Sequence, residues 1–208
     1  MKKIFSAAIL MLFYIKCFSQ TVPANNLYLK LSGGRVVFGT GDILGYSFGI
    51  DLSKDVIKKQ KPALKRLLIG AEFIFENGVR NPVIINPTVN EFFSQSFYQT
   101  SNSVLWPKAS YYPFKNFIRG FNIQLGPTVG YTYSSKESRS SRMTNLLGES
   151  VRQSVLSFDN NFTIGYRIST GIEINVTKKI LTGFRLDWSN NNRGNINTLL
   201  GLKLGMSL

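Results

Sequence analysis

Long stretches of the chain alternate with a period of two. In Phe121–Tyr133 the odd positions carry Phe121, Ile123, Leu125, Pro127, Val129, Tyr131 and Tyr133, and the even ones Asn, Gln, Gly or Thr. In Phe162–Val176 one face reads Phe162, Ile164, Tyr166, Ile168, Thr170, Ile172, Ile174 and Val176, while the other carries Gly165, Arg167, Gly171 and Glu173. Ile180–Trp188 and Ile196–Leu208 divide in the same way, with Arg185, Asp187 and Lys203 on their polar faces. Side chains of a strand point alternately to its two faces, so each segment reads as a strand with one apolar and one polar or glycine face. Leu44–Leu52 and Leu67–Phe75 repeat the pattern less cleanly, with Asp51 and Glu72 on the polar side. In Leu27–Phe38 the apolar positions shift from Leu27, Leu29 and Leu31 to Val36 and Phe38, and the phase change predicts a bulge at Gly33-Gly34. Val104–Phe114 is the least regular strand, interrupted by Pro107 and Pro113. The sum is an all-β chain of eight strands.

Most connections are short at one end of this meander and long at the other. Alternation alone does not say which face turns inward, since a soluble barrel hides its apolar side and a membrane barrel exposes it. Three features favour the membrane arrangement. The polar faces are rich in Gly, which weakens a solvent-facing strand but makes room inside a narrow barrel. The apolar faces run nine to fifteen residues, enough for a tilted strand to cross a bilayer. Tyr112, Phe121, Tyr131, Tyr133, Phe162 and Trp188 sit near strand ends, as interfacial girdles require. A sheet edge open to lipid would leave backbone groups unpaired, so the eight strands must close, with the last pairing to the first.

The first residues differ from the rest. Lys2 and Lys3 precede the apolar run Ile4–Ile15, and Cys17 and Ser19 form a small pair two apart. This predicts a signal peptide over 1–19, cleaved after Ser19, and a barrel domain over 20–208. A run of this length is short for a spanning helix. Lys16 immediately before Cys17 is the wrong residue for a lipoprotein acylation site. Cleavage would remove three of the 25 basic residues and the only Cys, leaving 22 against 11 acidic ones.

The chain has no His, which removes Ser–His and Cys–His nucleophile pairs and every His-ligated metal site. No catalytic residue, cofactor or metal is expected. Lys30, Arg167, Arg185 and Lys203 share the polar faces with Asp51, Glu72, Glu173 and Asp187, four against four. Near balance points to mutual pairing in a filled lumen rather than to a conducting path, because unpaired buried charge is expensive. The basic run Lys54–Arg66 reads as a solvated turn, and an exported barrel meets no nucleic acid. Thr88–Glu91 has a capping-box pattern, and Val89, Phe92, Phe93, Ser96 and Phe97 follow helical spacing, which predicts a short amphipathic helix over the barrel mouth. The second long loop carries Arg139 and Arg142. Together with Phe92, Phe93 and Phe97 these make an outer-loop binding surface, suited to the phosphates of lipopolysaccharide.

The signal ending in Phe-Ser-Gln, the segment Tyr111–Tyr131 (YYPFKNFIRGFNIQLGPTVGY) and a final strand running to the C-terminus carry a resemblance. Over residues 20–208 the chain resembles the small eight-stranded outer-membrane β-barrels of the OmpA/OmpX type, in the form common in Bacteroidetes. The resemblance implies a monomer in the outer membrane of a Gram-negative bacterium, placed there by the barrel insertion machinery and in contact with outer-membrane lipid. Its role would be structural or one of surface interaction. Such barrels usually end in an aromatic residue that the insertion machinery reads, whereas this chain ends in Leu208. Enzymes on this fold rely on a catalytic His, which argues against an enzyme here. The competing readings are a narrow pore or small-solute transporter, and a soluble secreted lipid-binding barrel.

Overall fold

Alternation becomes eight strands: β1 (Leu27–Phe38), β2 (Ile43–Asp55), β3 (Leu67–Ile85), β4 (Phe92–Tyr111), β5 (Phe121–Met143), β6 (Ser150–Asn175), β7 (Ile180–Asn191) and β8 (Ile196–Ser207). The computed structural model describes residues 27–39, 43–56, 67–85, 92–113, 120–143, 150–177 and 179–208. The expected signal segment 1–19, the capping box at 88–91 and most of the basic run 54–66 lie outside them. Each strand pairs antiparallel with its sequence neighbours, and β8 closes on β1. No helix among the described residues is long and apolar enough to cross a membrane.

The register fixes the barrel's dimensions. One circuit runs Leu27, Lys54, Ile69, Ala109, Leu125, Ile168, Trp188, Thr198 and back to β1 at Val37, a stagger of ten residues. Strand number and stagger together set strand tilt, and eight strands enclose an interior that side chains just fill. Both described chain ends, Leu27 and Leu208, lie at one rim, called here the near rim, and the β1–β2 and β7–β8 turns lie at the far rim.

The apolar faces point outward. Phe48 is 49% exposed, Ile123 44%, Ile172 47% and Leu202 58%, whereas Arg167 is 2% exposed and Glu72 0%. A soluble barrel would show the reverse. Room inside is made by residues such as Gly49, where a Cβ would stand 2.5 Å from both the Glu72 carboxylate and the Ser32 hydroxyl.

Several expectations are corrected. There is no bulge at Gly33-Gly34: the β1–β2 register is unbroken, and Val36 and Phe38 turn inward, where they pack with Leu199. The register shift lies instead in β3, between Arg80 and Val83. Tyr112 is not a girdle residue but is buried with Tyr28, Leu68 and Leu181. Phe92–Phe97 is not helical; it opens β4. The segments read as long loops are largely strand. β5 and β6 pair up to Met143 and Ser150, and β3 and β4 pair up to Ile85 and Ser94. At the near rim β4 ends at Tyr111.

Pro107 is accommodated within a barrel that has no edge. Leu105 pairs with Val129 and Ala109 with Leu125, so Pro107 sits opposite Pro127. Each proline lacks a donor, and placing the two opposite each other confines the interruption of the ladder to one place.

Candidate functional site: a closed ionic lumen and the far mouth

The inward positions of seven strands carry charges, and together they form a layered ionic core. Near the chain ends, Lys30 Nζ lies 2.9 Å from Glu173 Oε2, and the Tyr112 hydroxyl donates to the same oxygen at 2.6 Å. Lys203 Nζ lies 3.7 Å from Glu173 Oε1 and donates to Gln124 at 3.1 Å. In the middle layer Lys108 Nζ bridges Asp51 at 2.9 Å and Glu72 at 2.5 Å, and stands 4.5 Å from the Trp106 ring centroid. Ser32 donates to Glu72 at 2.8 Å. Arg185 joins Glu72 to Asp187, the latter at 2.6 Å. Toward the far rim Arg167 lies 2.5 Å from Glu76 and 3.4 Å from Asp187. Glu76 also accepts from the amides of Asn102 and Asn197, both at 3.3 Å.

The structure thus places all eight lumen charges named from the sequence inside the barrel, and adds Lys108 and Glu76 to them. Among the described residues the network holds five cations (Lys30, Lys108, Arg167, Arg185, Lys203) and five carboxylates (Asp51, Glu72, Glu76, Glu173, Asp187). The formal balance is zero. Lys108 escaped sequence analysis because the prolines around it obscured the phase of β4. Glu76 escaped because β3 seemed to end at Phe75. The signal that could have found both is parity: each stands an even number of residues from an inward side chain, Lys108 from Trp106 and Glu76 from Glu72.

Apolar side chains cap and divide this ionic column. Tyr28, Leu68, Tyr112 and Leu181 fill the near rim. Ile74, Val104 and Trp106 form a second cluster beside the middle layer, and Val36, Phe38 and Leu199 a third toward the far rim. A void of about 20 Å³ beside Glu76 and Arg167 has room for a water. Above it a cavity of about 210 Å³, lined by Phe38, Ile43, Arg80, Tyr98, Thr100, Asn102, Asn195 and Asn197, marks the far mouth. Both cavities lie on the far side of the middle ionic layer, and the near-rim cluster separates them from the opposite end. Among the described residues no group of His, Cys, Asp and Glu could hold a metal ion.

Beyond this mouth four strands rise as a wall. β2 accompanies β3 only as far as Val79, and β7 accompanies β6 only from Gly165. Phe92, Phe93 and Phe97 are strand positions of β4 rather than loop residues, and Arg139 and Arg142 are strand positions of β5. The register brings the two sets together: Phe92 stands opposite Arg142, Phe93 opposite Ser141, Phe97 opposite Glu137, and Arg139 opposite Gln95. On β6 the wall exposes Val155, Leu156, Phe158 and Phe162, with Phe158 against Tyr133 at a ring separation of 6.1 Å.

No protein-family model matches the chain, and no curated protein matches it. Among solved structures it is similar to Neisserial surface protein A, at 12% identity over 88% of this chain and 97% of that one, with a TM-score of 0.47. It is similar to Ail, the attachment invasion locus protein of Yersinia pestis, in complex with the heparin analogue sucrose octasulfate, at 9% identity over 89% and 100%, with a TM-score of 0.42. A major outer membrane protein from Thermus thermophilus matches at 11% identity over 89% and 100%, with a TM-score of 0.36. The closed eight-stranded barrel itself is established by this chain's own register.

Proposed function

We propose that the protein is an integral outer-membrane barrel of the OmpA/OmpX type, exported by a cleaved segment over 1–19, monomeric, and without enzymatic activity. Its lumen is a sealed ionic core, and its role is structural or one of surface interaction. The observation that carries this reading is the inversion of the barrel: an apolar belt on the outside and ten mutually paired charges within. In water such a belt would be a large exposed apolar surface and an aggregation site. In lipid it is the required surface, and closure of the ladder satisfies the backbone. Both described chain ends share the near rim, so the tall wall stands alone at the opposite rim; we place that rim outside the cell. The wall, with Phe92, Phe93, Phe97, Arg139 and Arg142 brought together on β4 and β5, is the surface we assign to interaction, and its arginines suit lipopolysaccharide phosphates.

Purified protein refolded from urea into detergent micelles should migrate at two positions on a gel, one for the unheated and one for the boiled sample. In planar bilayers it should leave the conductance at background, because among the described residues the near-rim apolar cluster and the paired ionic layers occupy the lumen. Stepwise openings would overturn the sealed lumen and favour the narrow pore. Recovery of folded protein from cells without detergent would overturn the membrane reading and favour a soluble barrel.

A further inference from the structure

Outward positions of the belt are apolar or uncharged with one exception. Through Leu27–Val37 of β1, Leu44–Leu52 of β2, Leu67–Val79 of β3, Gln99–Tyr111 of β4, Phe121–Tyr133 of β5, Phe162–Ile174 of β6, Ile180–Asn190 of β7 and Ile196–Met206 of β8, the outward residues include a single charge, Arg35. Its side chain is exposed, and among the described residues it has neither a hydrogen-bond nor an ion-pair partner. It stands opposite Tyr46 on β2 and Leu200 on β8. Phe38, three residues on, ends the strand at the far rim. At about 3.3 Å per residue that is about 10 Å of strand, within reach of the headgroup layer for a side chain that extends along an apolar surface.

The position just below Arg35 on the same face is Gly33, and it is open. Gly33 stands opposite Phe48 and Leu202, two of the exposed apolar side chains of the belt. A Cβ at Gly33 would meet nothing nearer than the Ser47 carbonyl oxygen at 3.7 Å, an ordinary contact. Its neighbour Gly34 differs, because a Cβ there would approach the Gly201 Cα to 2.6 Å. Strand packing therefore requires glycine at 34 and does not require it at 33. Glycine weakens a strand, and what it creates here is a notch between Phe48 and Leu202, directly below an unpaired guanidinium.

We propose that Arg35 and the Gly33 notch bind a phosphate-bearing lipid of the far leaflet. The guanidinium takes the phosphate through its fork of donors, and one acyl chain lies in the notch between Phe48 and Leu202. A guanidinium matches a phosphate bidentately, whereas an ammonium acts as a point charge. The inference rests on the membrane reading, since the occupant is a bilayer component.

Native mass spectrometry of delipidated protein in detergent tests it, with phosphatidylglycerol and the phosphate-free diacylglycerol of identical chains as probes and inorganic phosphate as competitor. Wild type should retain one phosphatidylglycerol about tenfold more strongly than the diacylglycerol, the scale of one charge-assisted contact. Arg35→Gln should remove that preference and Arg35→Lys should weaken it. Gly33→Leu should reduce retention of both lipids by filling the notch. Equal retention of the two lipids by wild type, or an unchanged preference in Arg35→Gln, would overturn the proposal. Displacement of the lipid by millimolar inorganic phosphate would also overturn it, because the site would then be an anion site without a chain groove. The heat-dependent gel shift of the same samples separates the two failures: its loss in wild type sinks the membrane reading, and its persistence with no lipid preference sinks the lipid site alone.

Discussion

Arg167→Met is expected to destabilise the folded barrel by about 3–5 kcal/mol, the cost of leaving a buried charge without its partner. Arg167 is the only cation in salt-bridge contact with Glu76 among the described residues, and Glu76 is fully buried. Removing the guanidinium leaves Glu76 with only the amides of Asn102 and Asn197. Asp187 is protected, because Arg185 remains 2.6 Å away. The double variant Arg167→Met/Glu76→Gln should therefore recover most of the loss: four cations again face four carboxylates, and Asp187 keeps its bridge. A third variant, Arg185→Met, removes a cation shared by Glu72 and Asp187. It should cost less than Arg167→Met, since Glu72 keeps Lys108 at 2.5 Å and Asp187 keeps Arg167 at 3.4 Å. Urea titration of refolding into micelles measures all of these. Planar-bilayer recordings on Arg167→Met should stay at background, because Ile74, Val104, Trp106 and the near-rim cluster still fill the lumen. A stability change of Arg167→Met within about 0.5 kcal/mol, typical of surface substitutions, would mean that Glu76 is solvated and the lumen wet.

How far this arrangement can be read from the sequence depends on where each residue sits relative to the belt. Alternation reports a contrast between two faces. It is sharp in Phe121–Tyr133, Phe162–Ile174, Ile180–Trp188 and Ile196–Met206, where the outer face carries the apolar belt and the inner face charged, polar and glycine residues. Where both faces see the same surroundings the contrast disappears. Ser154–Asn160 of β6 is exposed on both faces, and this stretch and the Ser- and Arg-rich Ser134–Met143 of β5 read as loop although the two strands pair without a break. The inward turn of Val36 and Phe38 is a different failure. The far end of the lumen is apolar there, so an apolar residue marked the inner face, and the pattern seemed to change phase while the strand did not. The helix expected near Phe92 rests on a coincidence of periods. Phe93 and Phe97 are four apart, and a spacing of four returns to the same face of a helix and of a strand alike. Only the pairing partners, Ser141 and Glu137, separate the two cases. Of the ionic network, the members on regular strands are legible and Lys108 and Glu76 are not, because Pro107 and Pro113 interrupt the alternation around Lys108 and the apolar run of β3 stops at Phe75; which cation meets which carboxylate is set by the register and the stagger of ten, and a single sequence displays that for none of them.

Leu125→Arg is the substitution that most directly asks what surrounds the barrel. Leu125 is 56% exposed, lies mid-belt on β5, and stands opposite Ala109 and Ile168. If lipid surrounds it, arginine there should cost about 2–4 kcal/mol, the range for a lipid-facing arginine at the bilayer midplane. The same substitution at Tyr133, near the far rim, should cost about 0–1 kcal/mol, because the cost falls toward the interface. Leu125→Ala supplies the control for lost apolar contact, and the excess of Leu125→Arg over it is the part that belongs to charge. In water the order would collapse: both arginines would be solvated surface residues, each within about 0.5 kcal/mol of wild type, and Leu125→Arg would improve solubility. Folding in vesicles monitored by the heat-dependent gel shift gives the values, and the same variants in short-chain detergent give a compressed version. The decisive quantity is the dependence on depth rather than either value alone. Arg35 supplies an internal reference, as an outward arginine the native chain already carries three residues from the far-rim end of β1. A chain that tolerates Arg35 and Tyr133→Arg but not Leu125→Arg is sensing the depth of an apolar slab, and neither bulk water nor a protein partner covering the whole belt would impose that order.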